Sequence, residues 1–548
     1  MRFQQVATLG LLRAGLASAQ LTYADNRPKV IRDSEAVAAN FPDVEGVELF
    51  SPAFASPESV PSTFANGTSG PTDEATLDNF LRTLAARNEW MTYHNPDFKS
   101  EEGRSIPYVY LSTSNRAVND GLASHANASG PGKVRIWMQG GVHGNEPAGD
   151  QALLALLGKL DANATWAASL LDRVDIMMLP RYNPDGVAYF QRYLATNLDP
   201  NRDHTKLARQ QTRDVKRLVA GFAPHVGVDC HEYSPTGPYG ARAQWVDAQD
   251  GQFSAMKNAN IHRAIRDMSE AVFANAVAAA MERRGLRWGA YVTGPAGTDD
   301  VVLEETTGDA KIGDSSVALG QAVVFLTETR GIGLADQHWQ RRVAAGLTMV
   351  EAIVQTAADR ADEVYATVEG ARADFIAGTA AEDIVVTESA RPTNITWQFI
   401  EATTGALVEV PVRFLNTTPV AANLTRSRPE AYVFSRAWAD VAERLRVAGV
   451  EVQTLRADFR GEVEAFNVTG AAVAAGAKYE GVARTTVTTA TLRKEVRVPA
   501  GGFWVSTRQR NAAHAFVTLE PEGIDSYATF NVLPVSVGDE YPVYRVMA

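Results

Sequence analysis

Four apolar runs, each closed by a knot of polar residues, constrain this chain more than any other feature. They are VRIWMQGGVH (134–143), VDIMMLP (174–180), HVGVDCH (225–231) and AVVFLTE (322–328). Helical patterns alternate with them between about 76 and 360. After the first run, Pro147 suits a first helical position, and Leu153, Leu154, Leu157 and Leu160 recur at helical spacing. Between the third and fourth runs an Ala-rich helix is expected over about 260–284, closed by Gly285. Apolar strands alternating with helices dictate an α/β layered fold. Sites in open α/β sheets form at the carboxyl ends of strands. The runs end at HGNE, RYNPDG, HEY and TETRG, so four endings point to one pocket.

His143 and Glu146 lie three apart across a strand-to-helix turn, and both side chains can face one point. Zinc accepts imidazole nitrogen and carboxylate oxygen, and a catalytic site keeps three protein ligands and one open position. A lone HxxE arises readily by chance, and the plain alternative is a polar helix start with a surface Glu. His231, closing the third strand, is the best placed third ligand. His204 is its weaker rival, and His225, inside the strand, reads as a core histidine. His94, His125, His262, His338 and His514 have no partner pattern. Glu328 ends the fourth strand, where a carboxylate beside a metal-bound water can act as general base. The alternative there is an ion pair with Arg330. In DPNRD, Arg202 offers a planar fork that matches a carboxylate and Asn201 adds a neutral donor, the clamp that an enzyme cutting at a free C-terminus needs.

HGNE, NPDG, DPNRD, HEY and ETR, in this order over roughly 76–355, resemble the zinc carboxypeptidase family typified by pancreatic carboxypeptidase A. The resemblance implies an α/β/α sandwich on a mixed eight-stranded sheet and one Zn²⁺ held by His143, Glu146 and His231. It also implies that Asp199 orients the first histidine, that Asn201 and Arg202 bind the substrate's terminal carboxylate, and that Glu328 is the base. Arg192 falls where the family places the arginine that polarises the scissile carbonyl. Two departures stand out. Asn145 replaces an arginine between the first two ligands, and IGDSSVALGQ, upstream of the base, lacks the family's mobile Tyr, with Tyr291 far off in sequence. The expected substrates are peptides or proteins with a free C-terminus. A related hydrolase acting on N-acyl amino acids or cell-wall peptides is the near alternative, and a non-catalytic binding protein the distant one.

At 548 residues the chain exceeds one ordinary core, so a large unit plus a smaller one is expected. Residues 76–371 form the expected catalytic domain, 372–392 a linker, and 393–548 a β-rich accessory domain, where ITWQFIEA, VEVPVRFL, TTVTTATL, KEVRVPAGGFWVST and AFVTLEP read as strands. One helix is expected there, near Trp438 to Val447. The branch of the family that it resembles carries such a strand-rich domain, ending in a motif like EYPVYRV. A formal charge of -12 and the lack of a basic stripe argue against a nucleic-acid partner.

Residues 1–19 read as a signal peptide, cationic then apolar, with Ala17-Ser18-Ala19 before the cut, although Arg13 interrupts the apolar stretch. Residues 20–75, rich in Pro, Ser and Ala, read as an extended arm. No later segment reaches the ~18 apolar residues a membrane span needs. Glycosylation triplets begin at Asn66, Asn127, Asn163, Asn394, Asn416, Asn423 and Asn467, so the expected location is extracellular. Cys230 is the sole cysteine, which excludes an intrachain disulfide.

Overall fold

A computed structural model of the chain describes residues 29–113, 132–235, 238–378, 383–476 and 478–548. The four apolar runs become β3 (Val134–Gln139), β4 (Val174–Leu179), β5 (Val226–Tyr233) and β11 (Val323–Arg330). They lie parallel and adjacent in the order β4-β3-β5-β11. With β1 (Met91–His94), β2 (Tyr108–Leu111), β7 (Gly251–Ala255) and β8 (Trp288–Ala290) they make a mixed eight-stranded sheet, β1-β2-β4-β3-β5-β11-β7-β8.

Every residue of the four central strands is buried. Helices on both faces explain this. An added Cβ on Gly149 of α1 (Pro147–Ala162) would meet the Cys230 backbone, whereas one on Gly227 would meet Val317 of α5 (Gly313–Ala318). Residues 227 and 230 point to opposite sides of β5. Strands covered on both faces read as unbroken apolar runs, as these do. α6 (Trp339–Asp359) packs along α1, where Leu153, Leu154 and Leu157 are fully buried, each contributing about 1.5–3 kcal/mol. The observed architecture is thus the expected α/β/α sandwich. The helix expected over 260–284 is α4, residues 263–283, with a π turn at Ser269–Ala274 and left-handed Gly285 at its end.

A second sheet departs from the expected organisation. β6 (Trp245–Asp247), β9 (Val292–Thr293) and β10 (Val302–Glu305) come from the first part of the chain, β12 (Ile384–Glu401) and β13 (Leu407–Arg426) from the last. They join in the order β6-β12-β13-β10-β9. The stretch 372–392 is therefore not a plain linker. α7 (Ala361–Ala377) runs through its start, and β12 occupies it from Ile384 onward, paired with the end of β13.

A third sheet contains β14 (Ala431–Phe434), β15 (Gln453–Thr454), β16 (Phe459–Val473), β17 (Thr485–Val498), β18 (Phe503–Ser506) and β19 (Val543–Val546), ordered β15-β18-β14-β19-β16-β17. The expected helix near Trp438 is α8 (Ala439–Val447). AFVTLEP, expected as a strand, is instead helical: α9 (Ala512–Leu519) is buried at all eight positions. A helix apolar on every side has no polar face to give it a helical period.

In the arm, residues 29–75 carry short helical turns, including Glu35–Ala38 and Pro52–Ala55. Val37 and Phe41 bury against Val246 and Ile400, so the arm lies on the molecule rather than extending from it. The expected signal peptide, His125 and Asn127 lie outside the described residues. Among the described residues, no helix is long and apolar enough to cross a membrane.

Candidate active site

The turn after β3 carries His143 and Glu146 to the sheet's carboxyl edge, and β5 brings His231 to the same point. His143 Nδ1 lies 2.8 Å from Glu146 Oε1, His231 Nδ1 lies 2.9 Å from Glu146 Oε2, and the two Nδ1 atoms are 3.1 Å apart. Ligand atoms about 2.05 Å from a tetrahedral zinc sit about 3.3 Å from one another. The three donors thus match a small divalent ion in spacing and type, and among the described residues they are the cluster able to hold a metal.

The far nitrogens of both rings support this assignment. His143 Nε2 is 3.1 Å from Asp199 Oδ1, and His231 Nε2 is 3.1 Å from Asp229 Oδ1. The Asp199 carboxylate behind the His143 ring fixes its proton on Nε2 and turns its Nδ1 lone pair toward the centre, while Asp229 places negative charge beside His231 Nε2. Burial alone would raise Glu146, but His143 and His231 outweigh it and hold its carboxyl far below the usual range. Burial would likewise lower His231, yet Asp229 and Glu146 push it well up. The cluster has surplus negative charge.

Asp199 is the hub of the surrounding bonds. It caps the 3₁₀ turn Pro200–Arg202, and its Oδ1 also accepts from the Asn201 N–H at 2.8 Å. Its Oδ2 accepts from Arg192 Nε at 3.0 Å and Nη2 at 2.8 Å, while Arg192 Nη1 lies 3.3 Å from Glu146 Oε1. Burial opposes ionisation of Asp199, and His143 with Arg192 overcome it. Asn201 lines the cavity, but its Oδ1 accepts from Gly313 N at 2.7 Å and its Nδ2 lies 3.3 Å from His231 Nε2. The guanidinium of Arg202 spends one bond on Asn201 O, at 2.8 Å, and keeps the rest of its fork for the cavity.

Glu328 stands in register with His231 across the parallel β5–β11 pair, so both side chains emerge on one face. Its Oε2 is buried and accepts no hydrogen bond among the described residues. The alternative pairing with Arg330 does not occur: Arg330 Nη2 donates to Asp33 of the arm at 3.0 Å. Burial pushes Glu328 well above the usual carboxylate range, His231 opposes this and Glu146 reinforces it. His143, Glu146, His231, Arg192, Arg202 and Glu328 border a cavity of about 610 Å³.

The remaining histidines separate cleanly. His225, just before β5, accepts from Arg135 N at 2.9 Å and pairs with Glu369 at 2.9 Å, and burial lowers it to about 3. His204 is buried near the site with no hydrogen bond to either ring nitrogen among the described residues, and burial takes it to about 3 as well. It stays outside the three-donor cluster. His338 pairs with Asp33 at 3.0 Å. In HEY, Glu232 serves the framework, accepting from Arg342 Nε at 2.9 Å and from Ala148 N at 3.1 Å.

Asp229 and Tyr479 escaped the sequence reading, and Tyr291, set aside there as far off in sequence, reaches the site. Asp229 carried a signal, since a position two before His231 shares its face of the strand. Tyr291 lines the cavity, where burial raises its phenol and the Glu328 carboxylate adds to the effect. Tyr479, from the last part of the chain, lines it too. No motif links either tyrosine to the site. Asn145 is buried and is not among the described residues that line the cavity, so it supplies no contact there in place of the arginine.

Residues 77–252 match the zinc carboxypeptidase family. Carboxypeptidase 2 of Trichophyton tonsurans is 50% identical over 546 residues, covering 100% of this chain and 99% of that one. Carboxypeptidase 2 of Trichophyton rubrum is 48% identical, covering 98% of this chain and 99% of that one. Among solved structures, a metallo-carboxypeptidase from Burkholderia cenocepacia aligns at 16% identity and a TM-score of 0.38, over 52% of this chain and 70% of that one. Half of its residues being identical, end to end, to those of a carboxypeptidase, the chain belongs to the zinc carboxypeptidase family and is a metallocarboxypeptidase.

Proposed function

We propose that the chain is a secreted, zinc-dependent enzyme that removes residues singly from the free C-terminus of peptides or proteins. The observation carrying this reading is one cavity that presents His143, Glu146 and His231 together with Glu328, Arg192 and Arg202.

His143 Nδ1, Glu146 and His231 Nδ1 would hold the ion. Bound there, Zn²⁺ supplies a Lewis acid for the scissile carbonyl and a positive charge that favours ionised Glu328. Arg202, with the open part of its fork, pairs with the terminal carboxylate and sets which peptide bond faces the base. Asn201 braces that end, tying Gly313 to the loop that carries Arg202. Arg192, locked by Asp199, offers positive charge where the carbonyl oxygen becomes an oxyanion. Glu328 takes a proton from water as the water oxygen bonds to the carbonyl carbon. It then gives that proton to the amine nitrogen as the C–N bond breaks.

Secretion is supported by the leader-like first residues and by five acceptor asparagines, Asn66, Asn163, Asn394, Asn423 and Asn467, that are exposed. Mass spectrometry of a mixed peptide pool over time should show stepwise shortening from the C-terminus. Dipeptides blocked as C-terminal amides should be poor substrates, and equal turnover of amide and free acid would overturn the proposal. Secreted protein whose sequence starts at Gln20 would verify the leader.

A further inference from the structure

We propose that the Tyr479–Val482 turn, between β16 and β17, is a built part of the substrate site, and that Tyr479 on it contacts the substrate's C-terminal residue beside Arg202. This rests on the carboxypeptidase reading above.

Among the described residues, the last part of the chain reaches the catalytic cavity through this turn alone. Tyr479 and Val482 exchange backbone hydrogen bonds, Tyr479 N to Val482 O at 2.8 Å and Val482 N to Tyr479 O at 3.0 Å. Between them, Glu480 at φ 48° and Gly481 at φ 78° are both left-handed, the signature of a tight two-residue turn. Glycine adopts that backbone freely, but glutamate does so at a cost that some interaction must offset. Here the Glu480 carboxylate accepts from the Asp199 N–H at 2.7 Å. The turn is thereby pinned to the residue whose Oδ1 lies against His143 and whose Oδ2 holds Arg192.

With Glu480 fixed, the Tyr479 ring is set into the cavity wall by three neighbours. The Arg484 guanidinium sits 4.5 Å from its centroid, Lys311 Nζ 5.9 Å away, and the Phe530 ring 6.4 Å away. Lys311 ties the same wall to the distant part of the chain, pairing with Asp525 at 3.3 Å. Burial raises the phenol, and the Lys311 and Arg202 charges pull against that rise, which sets the hydroxyl within the field of the clamp. An aromatic face with a polar tip, half-buried beside a carboxylate-binding arginine, suits the apolar body and charged end of a terminal amino acid.

The test uses the full-length zinc enzyme and N-benzoyl-glycyl-phenylalanine. Binding is measured by calorimetry on the Glu328→Gln background, and turnover on the wild-type background. Tyr479→Ala should weaken binding at least about fivefold and raise KM to match, with kcat, zinc content and melting temperature held. Tyr479→Phe should recover most of the affinity, because the ring remains. Unchanged affinity in a folded Tyr479→Ala, beside a wild-type enzyme that cleaves the dipeptide, overturns this proposal and leaves the carboxypeptidase reading standing. A wild-type enzyme that neither binds nor cleaves this dipeptide or its counterparts ending in leucine, arginine and glutamate overturns both this proposal and the C-terminal exopeptidase reading. Should Tyr479→Ala fold poorly, Tyr479→Leu preserves the packing bulk and must show the same loss of affinity.

Discussion

Glu328 combines burial with a carboxylate oxygen that accepts no hydrogen bond among the described residues, an expensive state unless that oxygen has work to do. Glu328→Gln keeps the shape and loses the base. It should retain zinc, as read by elemental analysis, and lower kcat at least ~10²-fold. Gly144 makes a different demand: a Cβ there would fall 1.9 Å from the backbone carbon of Gly186. HGNE and NPDG are therefore pressed together backbone to backbone, and the pressure sets where His143 and Glu146 point. Gly144→Ala should weaken zinc binding about 10- to 100-fold in competition with a chelator, comparable to the loss of a residue that orients a ligand. Cys230 is buried under Gly149, and burial pushes its thiol up to about 12, so thiol reagents should leave it untouched in the native enzyme.

At the scale of elements, helices control the charge that the sheet must bury. α3 (Gln210–Phe222) carries Lys216 into the interior, where its Nζ donates to Ser316 O at 3.1 Å and burial lowers it from 10.5 to about 7. Between those two values the unfolded chain binds more protons than the folded one, so this residue's contribution to stability rises with pH. Lys216→Met should therefore raise stability at pH 7 by about 1–3 kcal/mol, after the lost Ser316 bond is counted. Its advantage should shrink steadily toward pH 10. Melting curves of both proteins across that range check the sign, and an advantage that grows with pH would contradict it. The arm acts as an element too. Asp33 holds Arg330, two residues beyond Glu328, which keeps that arginine away from the base.

As a whole molecule the chain shares its largest apolar core between the early and late parts of the sequence rather than forming two units on a string. The largest cluster joins Leu153 and Ile353 to Tyr432, Val441 and Phe516. A second gathers Val292 and Leu303 with Trp397, Phe399 and Phe414 from strands distant in sequence. Calorimetry should show a single unfolding transition, and truncation after Gly378 should yield insoluble protein, since fully buried Leu303 would lose its cover. Chelation should lower the melting temperature reversibly. Zinc at 100 times its dissociation constant adds about 2.7 kcal/mol, which re-addition should restore.

The sequence by itself determined what is local. Period and length marked four strands, the helices between them and the Gly285 stop, because covered parallel strands and amphipathic helices write their surroundings into residue order. Motif spacing did the same for HGNE and DPNRD, whose members lie a few residues apart on one turn. Only the tertiary structure decided what depends on separate segments meeting. It chose His231 over His204, set Asp229 behind the ring, gave Arg330 to Asp33, and brought Tyr291 and Tyr479 into one cavity. It also turned the presumed linker into β12, because a run such as DIVVTES is a strand only once β13 supplies its hydrogen bonds. Such outcomes rest on pairing and burial between distant stretches, and neither leaves a periodic trace in the residues themselves.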